Sequence, residues 1–237
     1  MAHGFVDVYY DPIYLPAIQD RFEGKSELYT ALFSWGECDK VYADIERDCR
    51  ALFKERFMGM ARLISGEDER VASDLKLYFD IPEEFIARYE DELYECGMIG
   101  DDSDKAELYK IDGSLIIMLI DMLYDADYVC ELNWKVELDE LIPGLAHLHH
   151  VEDLGVAWDK VERKLNRTIP NGSTETWTQS IAQHELALRG LSLGYFDIDS
   201  DDYMFFVASH EQAKQLSRLA HETDVKMRFA QVNDMYH

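Results

Sequence analysis

Hydrophobic positions along the chain change their spacing repeatedly, and each spacing predicts an element. Phe5 to Tyr10 alternates aromatic and β-branched residues and stops at Asp11-Pro12, the pattern of a short strand. Val41, Ile45, Cys49, Leu52, Phe53, Phe57, Met60 and Ile64 then recur at helical spacing. They predict one long amphipathic helix over residues 38–64, stopped by Ser65-Gly66. Val71, Leu75 and Tyr78 mark a second helix. Asp80-Ile-Pro-Glu83 has the spacing of a capping box, with Pro82 in the first turn where its missing N–H costs nothing. The helix it opens turns Phe85, Ile86, Tyr89 and Leu93 inward and ends at Gly97.

The polar run Gly100-Asp-Asp-Ser-Asp104 reads as a boundary between a mainly helical lobe, residues 1–100, and an α+β lobe, residues 101–237. One continuous domain is the alternative. Leu115 to Tyr124 fits either a buried helix or the second arm of a hairpin, and the helix is preferred. Tyr128 to Trp134 reads as a strand, and Leu138 to His147 as a helix whose start accommodates Pro143 poorly. Val156 to Leu165 and Thr176 to Arg189 are further helices, separated by the breaker Ile-Pro-Asn-Gly-Ser173. Leu191 to Ile198 and Tyr203 to Ala208 flank the polar turn Asp199-Ser-Asp-Asp202 as a hairpin. Ser209 and Gln212 then cap a helix burying Ala213, Leu216 and Leu219, and a last strand follows around Lys226 to Ala230. Long helices mixed with short hairpin-like strands indicate an α+β fold, with a helix-rich N-terminal lobe and a C-terminal antiparallel or mixed sheet packed by helices.

Composition narrows the class. Of 237 residues, 47% are hydrophobic and 12% aromatic, with 5 Pro, which excludes a disordered chain. The 48 Asp and Glu against 23 Lys and Arg give a formal net charge of −25. Such a field repels nucleic acid and anionic membranes. Cys38, Cys49, Cys96 and Cys130 form no C-x-x-C pair, so reduced thiols are expected. The N-terminus lacks the basic start and apolar stretch of a signal peptide, and no aliphatic run approaches a bilayer's width, so a soluble cytoplasmic protein is expected.

The acid is unevenly placed. Between Asp80 and Glu140 stand 19 acidic residues against Arg88, Lys105, Lys110 and Lys135, so 15 of the 25 net negative charges lie in about a quarter of the chain. From Tyr203 onward, Glu211, Glu222, Asp224 and Asp234 are balanced by Lys214, Arg218, Lys226 and Arg228. Concentrated like charge destabilises a compact state, so such a cluster suggests a face shaped for a cationic partner, the bland reading being a merely solvated acidic surface. Tyr89, Tyr94, Tyr109, Tyr124, Tyr128 and Trp134 are interleaved with these acids, and some of them must be core. The expected contact surface is Asp91, Glu92, Glu95, Asp101, Asp102, Asp104 and Glu107, with Tyr94 as anchor.

Catalytic signatures are weak. His147-Leu-His149-His150, followed by Glu152 and Asp153, invites a metal reading but departs from the pattern of binuclear hydrolases at Val151 and Glu152. A polar helix end or loop is the bland reading. His184 shares a helical face with Trp177, Ile181 and Leu188 and reads as a packed histidine. Asp197-Ile-Asp199-Ser-Asp201-Asp202 resembles the opening of a calcium loop, but Ala208 stands where the bidentate acid belongs, so a turn is expected. Asp127 with Glu131-Leu-Asn133-Trp134-Lys135 echoes metal-dependent nucleases, with Asn133 in the place of an acid. Nucleophile elbow, phosphate loop and dinucleotide fingerprint are absent, and no cofactor is expected.

Leu132-Asn-Trp-Lys135, taken with Asp197-Ile-Asp-Ser-Asp-Asp-Tyr-Met-Phe-Phe-Val207, resembles a bacterial domain family of unknown function over roughly residues 114–230. That family has Asp where this chain has Asn133. The resemblance implies an α+β domain and brings no activity, cofactor or catalytic residue. In general character, an acidic single chain without a catalytic signature is also similar to bacterial toxin-immunity proteins. The leading expectation is therefore a non-enzymatic inhibitor whose acidic face occludes the basic cleft of a toxin. A DNA-mimic inhibitor of a nucleic-acid enzyme and a metal-dependent hydrolase using His147, His149 and Asp153 are the alternatives.

Overall fold

In the computed structural model, the residues described are 51, 54–90, 93, 114–198, 200–223 and 225–230. They fall into two units, one within Met1–Phe57 and Lys76–Ser114 and the other within Met58–Leu75 and Leu115–His237. The strand expected at Phe5 to Tyr10, the start of the long helix, the stop at Gly97 and the boundary near residue 100 all lie outside the described residues.

Residues 54–65 are helical, as the apolar repeat predicts, and the chain turns at Gly66 with φ +63°. Helix α1 (Glu69–Asp80) and helix α2 (Pro82–Arg88) follow. The capping box expected at Asp80 does not form. Ile81 is the N-cap and offers no side-chain acceptor, while Asp80 closes α1 and its carboxylate pairs with Lys54. In this first unit Tyr78 meets Phe85 edge-on at 5.2 Å, Phe85 lies 4.8 Å from Tyr89, and Leu93 is buried.

The second unit holds a four-stranded antiparallel sheet. Helix α3 (Ser114–Tyr124) precedes β1 (Val129–Asn133). Next come α4 (Leu138–Ala146), α5 (His149–Glu152), α6 (Trp158–Thr168) and α7 (Thr174–Ile181), the last running into a π-turn at Ala182–Leu186 and a 3-10 turn at Ala187–Arg189. The hairpin β2 (Leu191–Phe196) and β3 (Asp202–Ser209), helix α8 (His210–Glu222) and β4 (Met227–Phe229) complete it. The strand order is β1-β3-β2-β4, and every pairing is antiparallel. The fold is α+β.

Alternation along the strands sorts the core into two layers. Leu193, Phe205 and Val207 face helices α4 to α7 and pack with Leu141, Leu145, Leu165, Trp177 and Ile181. Phe196, Phe206 and Phe229 stack on the other face with ring centroids 5.1 and 5.7 Å apart. There a Cβ on Gly194 would lie 2.4 Å from the Phe206 ring, so close cross-strand packing requires glycine. Ala213, Leu216 and Ala220 are the buried positions of α8.

Local chemistry sets the ends of these helices. Ser209 and Gln212 exchange both bonds of a capping box at α8, at 2.9 and 3.2 Å. Ser173 and Thr176 do the same at α7, with a threonine hydroxyl where Glu or Gln is usual. Pro143 stands inside α4 on its exposed side, and the helix continues past it to Ala146.

One expectation is reversed. His184 is exposed, and Leu188 is 81% exposed. The π-turn inserts an extra residue into the helical repeat, so the buried face passes from Trp177 and Ile181 to Ala182 and Leu186. His184 and Leu188 are rotated out to solvent.

Candidate interaction surface

Asp91, Glu92, Tyr94, Glu95, Asp101, Asp102, Asp104 and Glu107 all lie outside the described residues. The acidic stretch reappears at α3, whose sequence Ser-Leu-Ile-Ile-Met-Leu-Ile-Asp-Met-Leu-Tyr carries one charged residue, Asp121. Met118, Leu119, Ile120, Met122 and Leu123 are buried. Ile117, Asp121 and Tyr124, spaced i, i+4 and i+7, share the opposite face. Ile117 is 40% exposed and Tyr124 50%.

Asp121 is half-buried, and its carboxyl is pushed above the usual carboxylate range, first by burial and then by the charges of Asp125 and Glu131. No basic side chain among the described residues forms an ion pair with Asp121 or Glu131. Glu131 lies exposed on β1, an edge strand, and Asn133 follows it on the same side. The Nδ2 of Asn133 donates to Asp202 Oδ1 at 2.9 Å. The backbone N–H of Trp134 donates to the Asp201 carbonyl, also at 2.9 Å. Trp134 is 46% exposed, with Lys135 Nζ 4.4 Å from its ring centroid. Glu131 of β1 thus adds its charge to that of Asp125 on Asp121 of α3, and Tyr124 and Trp134 are exposed on either side of this stretch of sequence.

Pairing of β1 with β3 brings together the two sequence motifs, since Asn133 stands directly opposite Asp202. Residues 56–230 match a single family pattern. The chain belongs to the family described as a domain of unknown function, DUF6630. In this DUF6630 chain the match begins well before residue 114, where the sequence resemblance starts, and the family brings no activity or partner with it. No curated protein matches the chain, and no solved structure does.

The remaining motifs are accounted for within the fold. His150 Nε2 donates to the Ile64 carbonyl at 2.7 Å, which fixes the ring's tautomer, and burial lowers its pKa. Tyr128 sets its ring 5.0 Å from His149 and 5.3 Å from His150, and its hydroxyl donates to Asp68 at 3.1 Å. Hydrogen bonds from the Arg70 side chain, with further ones from its backbone N–H and from Tyr128, hold the Asp68 carboxyl down at about 2. These bonds tie the turn after residue 65 to the start of α5. His147 caps the end of α4 exposed to solvent, and Asp153 is exposed beyond α5. Among the described residues no three His, Cys, Asp or Glu side chains gather as metal ligands. Asp197 pairs with Arg228 at 3.0 Å, at the head of the hairpin turn. Also among the described residues, no helix is long and apolar enough to cross a membrane.

Asp121 and Ile117 are the residues that reading for charge runs missed. Their signal was one carboxylate in an otherwise apolar helix, flanked at helical spacing by large side chains.

Proposed function

We propose that this chain is a non-enzymatic inhibitor of the immunity-protein kind, which uses acidic surface along the β1 edge to occlude a basic cleft on a protein partner. The observation that carries the reading is the convergence of Asp125 and Glu131 on Asp121, beside exposed Tyr124 and Ile117. Like charges brought together cost folding stability, so their retention at the surface fits a binding task. Complementary charge speeds encounter, and the exposed aromatic side chains supply anchors that slow dissociation.

The test is co-purification of the full chain with the products of adjoining genes. A basic protein is expected to co-purify, with an affinity that falls as salt rises, and Asp125→Lys with Glu131→Lys is expected to release it. Retention by the reversed variant, or capture of no basic product, would reject the reading.

A further inference from the structure

On the far edge of the same sheet the local charge reverses. A groove of about 720 Å³ runs along β4. Lys214, Arg218 and His221 of α8 line one wall, Glu175 of α7 lines the other, and Arg228 and Tyr195 lie between them. In a chain of 48 acidic and 23 basic residues, this gathering of cations stands out. Arg228 pairs with Asp197 at 3.0 Å, but the two cations of α8 are held only loosely by their acidic neighbours. Lys214 reaches Glu211 at 3.9 Å and Arg218 reaches Glu222 at 3.4 Å, both from exposed positions, where such pairs add little.

The backbone beside these cations is a template for a strand. Ala230 N–H donates to the Leu193 carbonyl and Asp197 N–H to that of Lys226, with Tyr195 opposite Arg228. Antiparallel geometry therefore turns the N–H and C=O groups of Met227 and Phe229 away from β2. No hydrogen bond to them is made among the described residues. An extended peptide laid there completes the ladder.

The two walls set its sequence pattern. Residues of an added strand opposite Met227 and Phe229 project on the sheet face where Phe196 and Phe206 lie, because Phe196 pairs with Met227 and Gly194 with Phe229. That is the face covered by α8, with its Lys214, Arg218 and His221. Intervening residues project on the opposite face, toward Glu175 and toward Arg228, whose guanidinium is already paired with Asp197 at 3.0 Å, so acid is not called for there. We propose that the β4 edge binds an extended peptide with acidic side chains at alternate positions, by strand addition. This site is separate from the acidic surface at β1 and calls for a ligand of opposite charge, so either can fail alone.

The probe is a fluorescein-labelled acetyl peptide of alternating Glu and Val, about six residues long to span β4, read by anisotropy with the full chain. Saturable binding that weakens with salt is expected. Lys214→Glu with Arg218→Glu is expected to weaken it about tenfold or more, with an unchanged circular dichroism spectrum. Lys214→Gln with Arg218→Gln, which removes the same charges without reversing them, provides a second variant, expected to weaken binding several-fold. A Lys-Val peptide is expected not to bind, nor a Glu-Val peptide N-methylated on the edge that faces β4. Absence of saturable binding by the Glu-Val peptide would overturn the proposal. Equal binding of the Lys-Val or N-methylated peptide, or undiminished binding by both variants, would do so as well.

Discussion

Asn133 and Asp202 face each other across the β1–β3 pairing, with the amide of one donating to the carboxylate of the other at 2.9 Å. The Asn133 carbonyl oxygen also accepts the backbone N–H of Lys135 at 3.1 Å, which shapes the turn that presents Trp134. One amide thus joins the two motifs through which the chain resembles its family, and does so with a donor that a carboxylate would lack.

Asn133→Asp replaces that bond with two carboxylates in close approach. The folded-state pKa of the pair rises, so the variant is penalised at neutral pH and relieved as pH falls through the raised value. Urea denaturation is expected to show a loss of about 1 kcal/mol at pH 7, shrinking toward pH 4. A constant loss across that range would mean that the bond matters only through its geometry.

Gly194→Ala is expected to be among the costliest small substitutions in the sheet. Its Cβ would meet the rim of the Phe206 ring at 2.4 Å, and Phe206 is fully buried between Phe196 and Phe229. Overpacking of this kind costs about 1–3 kcal/mol. Thermal melts of Gly194→Ala beside Gly59→Ala, whose Cβ would meet only the Leu219 side chain at 3.3 Å, compare a rigid obstacle with a yielding one.

The sequence was legible where one period ran unbroken and a cap had no competitor. Ser209 lies at the end of β3, and its box with Gln212 forms. Asp80 has the same spacing to Glu83, yet Lys54 takes its carboxylate from 26 residues away. The π-turn after Ile181 defeated a face assignment based on a constant 3.6-residue repeat. His147-Leu-His149-His150 could not be interpreted locally, because the carbonyl that holds His150 belongs to Ile64, 86 residues earlier. The acid was legible only as a bias in composition. Which carboxylates meet depends on the turn that returns β1 beside α3.

The rephased helix yields a direct test. Leu186→Ala removes a buried side chain and is expected to cost about 2–4 kcal/mol, whereas His184→Ala and Leu188→Ser, both exposed, are expected to change stability by less than about 0.5 kcal/mol. Chemical denaturation of the three variants reads the phase of the helix. A reversed order would restore the unbroken repeat.

His150 makes stability sensitive to mild acid. Its folded-state pKa lies below the ordinary 6.5, mainly through burial, so the unfolded chain takes up a proton that the folded chain resists. Stability from this group is present above pH 6.5 and is lost as pH falls toward the lowered value. Asp68 acts in a lower window, present above its ordinary 3.8 and lost as pH falls toward about 2. Acid also relieves the repulsion of a highly charged chain, so the informative quantity is the difference between the wild-type protein and His150→Gln. That difference is expected to narrow between pH 7 and 5, and a flat difference would rule out titration of His150.

Asp121 separates a stability cost from a binding task. Its carboxyl is raised by burial and by Asp125 and Glu131, so the charged form is the one the fold disfavours. Stability is therefore lost as pH rises above the ordinary carboxylate pKa through the raised value. Asp121→Asn removes the penalty while keeping the shape. The variant is expected to unfold at higher urea than the wild-type protein at pH 7, with the advantage vanishing below about pH 4. If these carboxylates bind a basic protein, the same variant binds it more weakly, and gain and loss occur together. A variant that is more stable and binds equally well would place Asp121 outside the contact, leaving Asp125 and Glu131 to carry the charge of that surface.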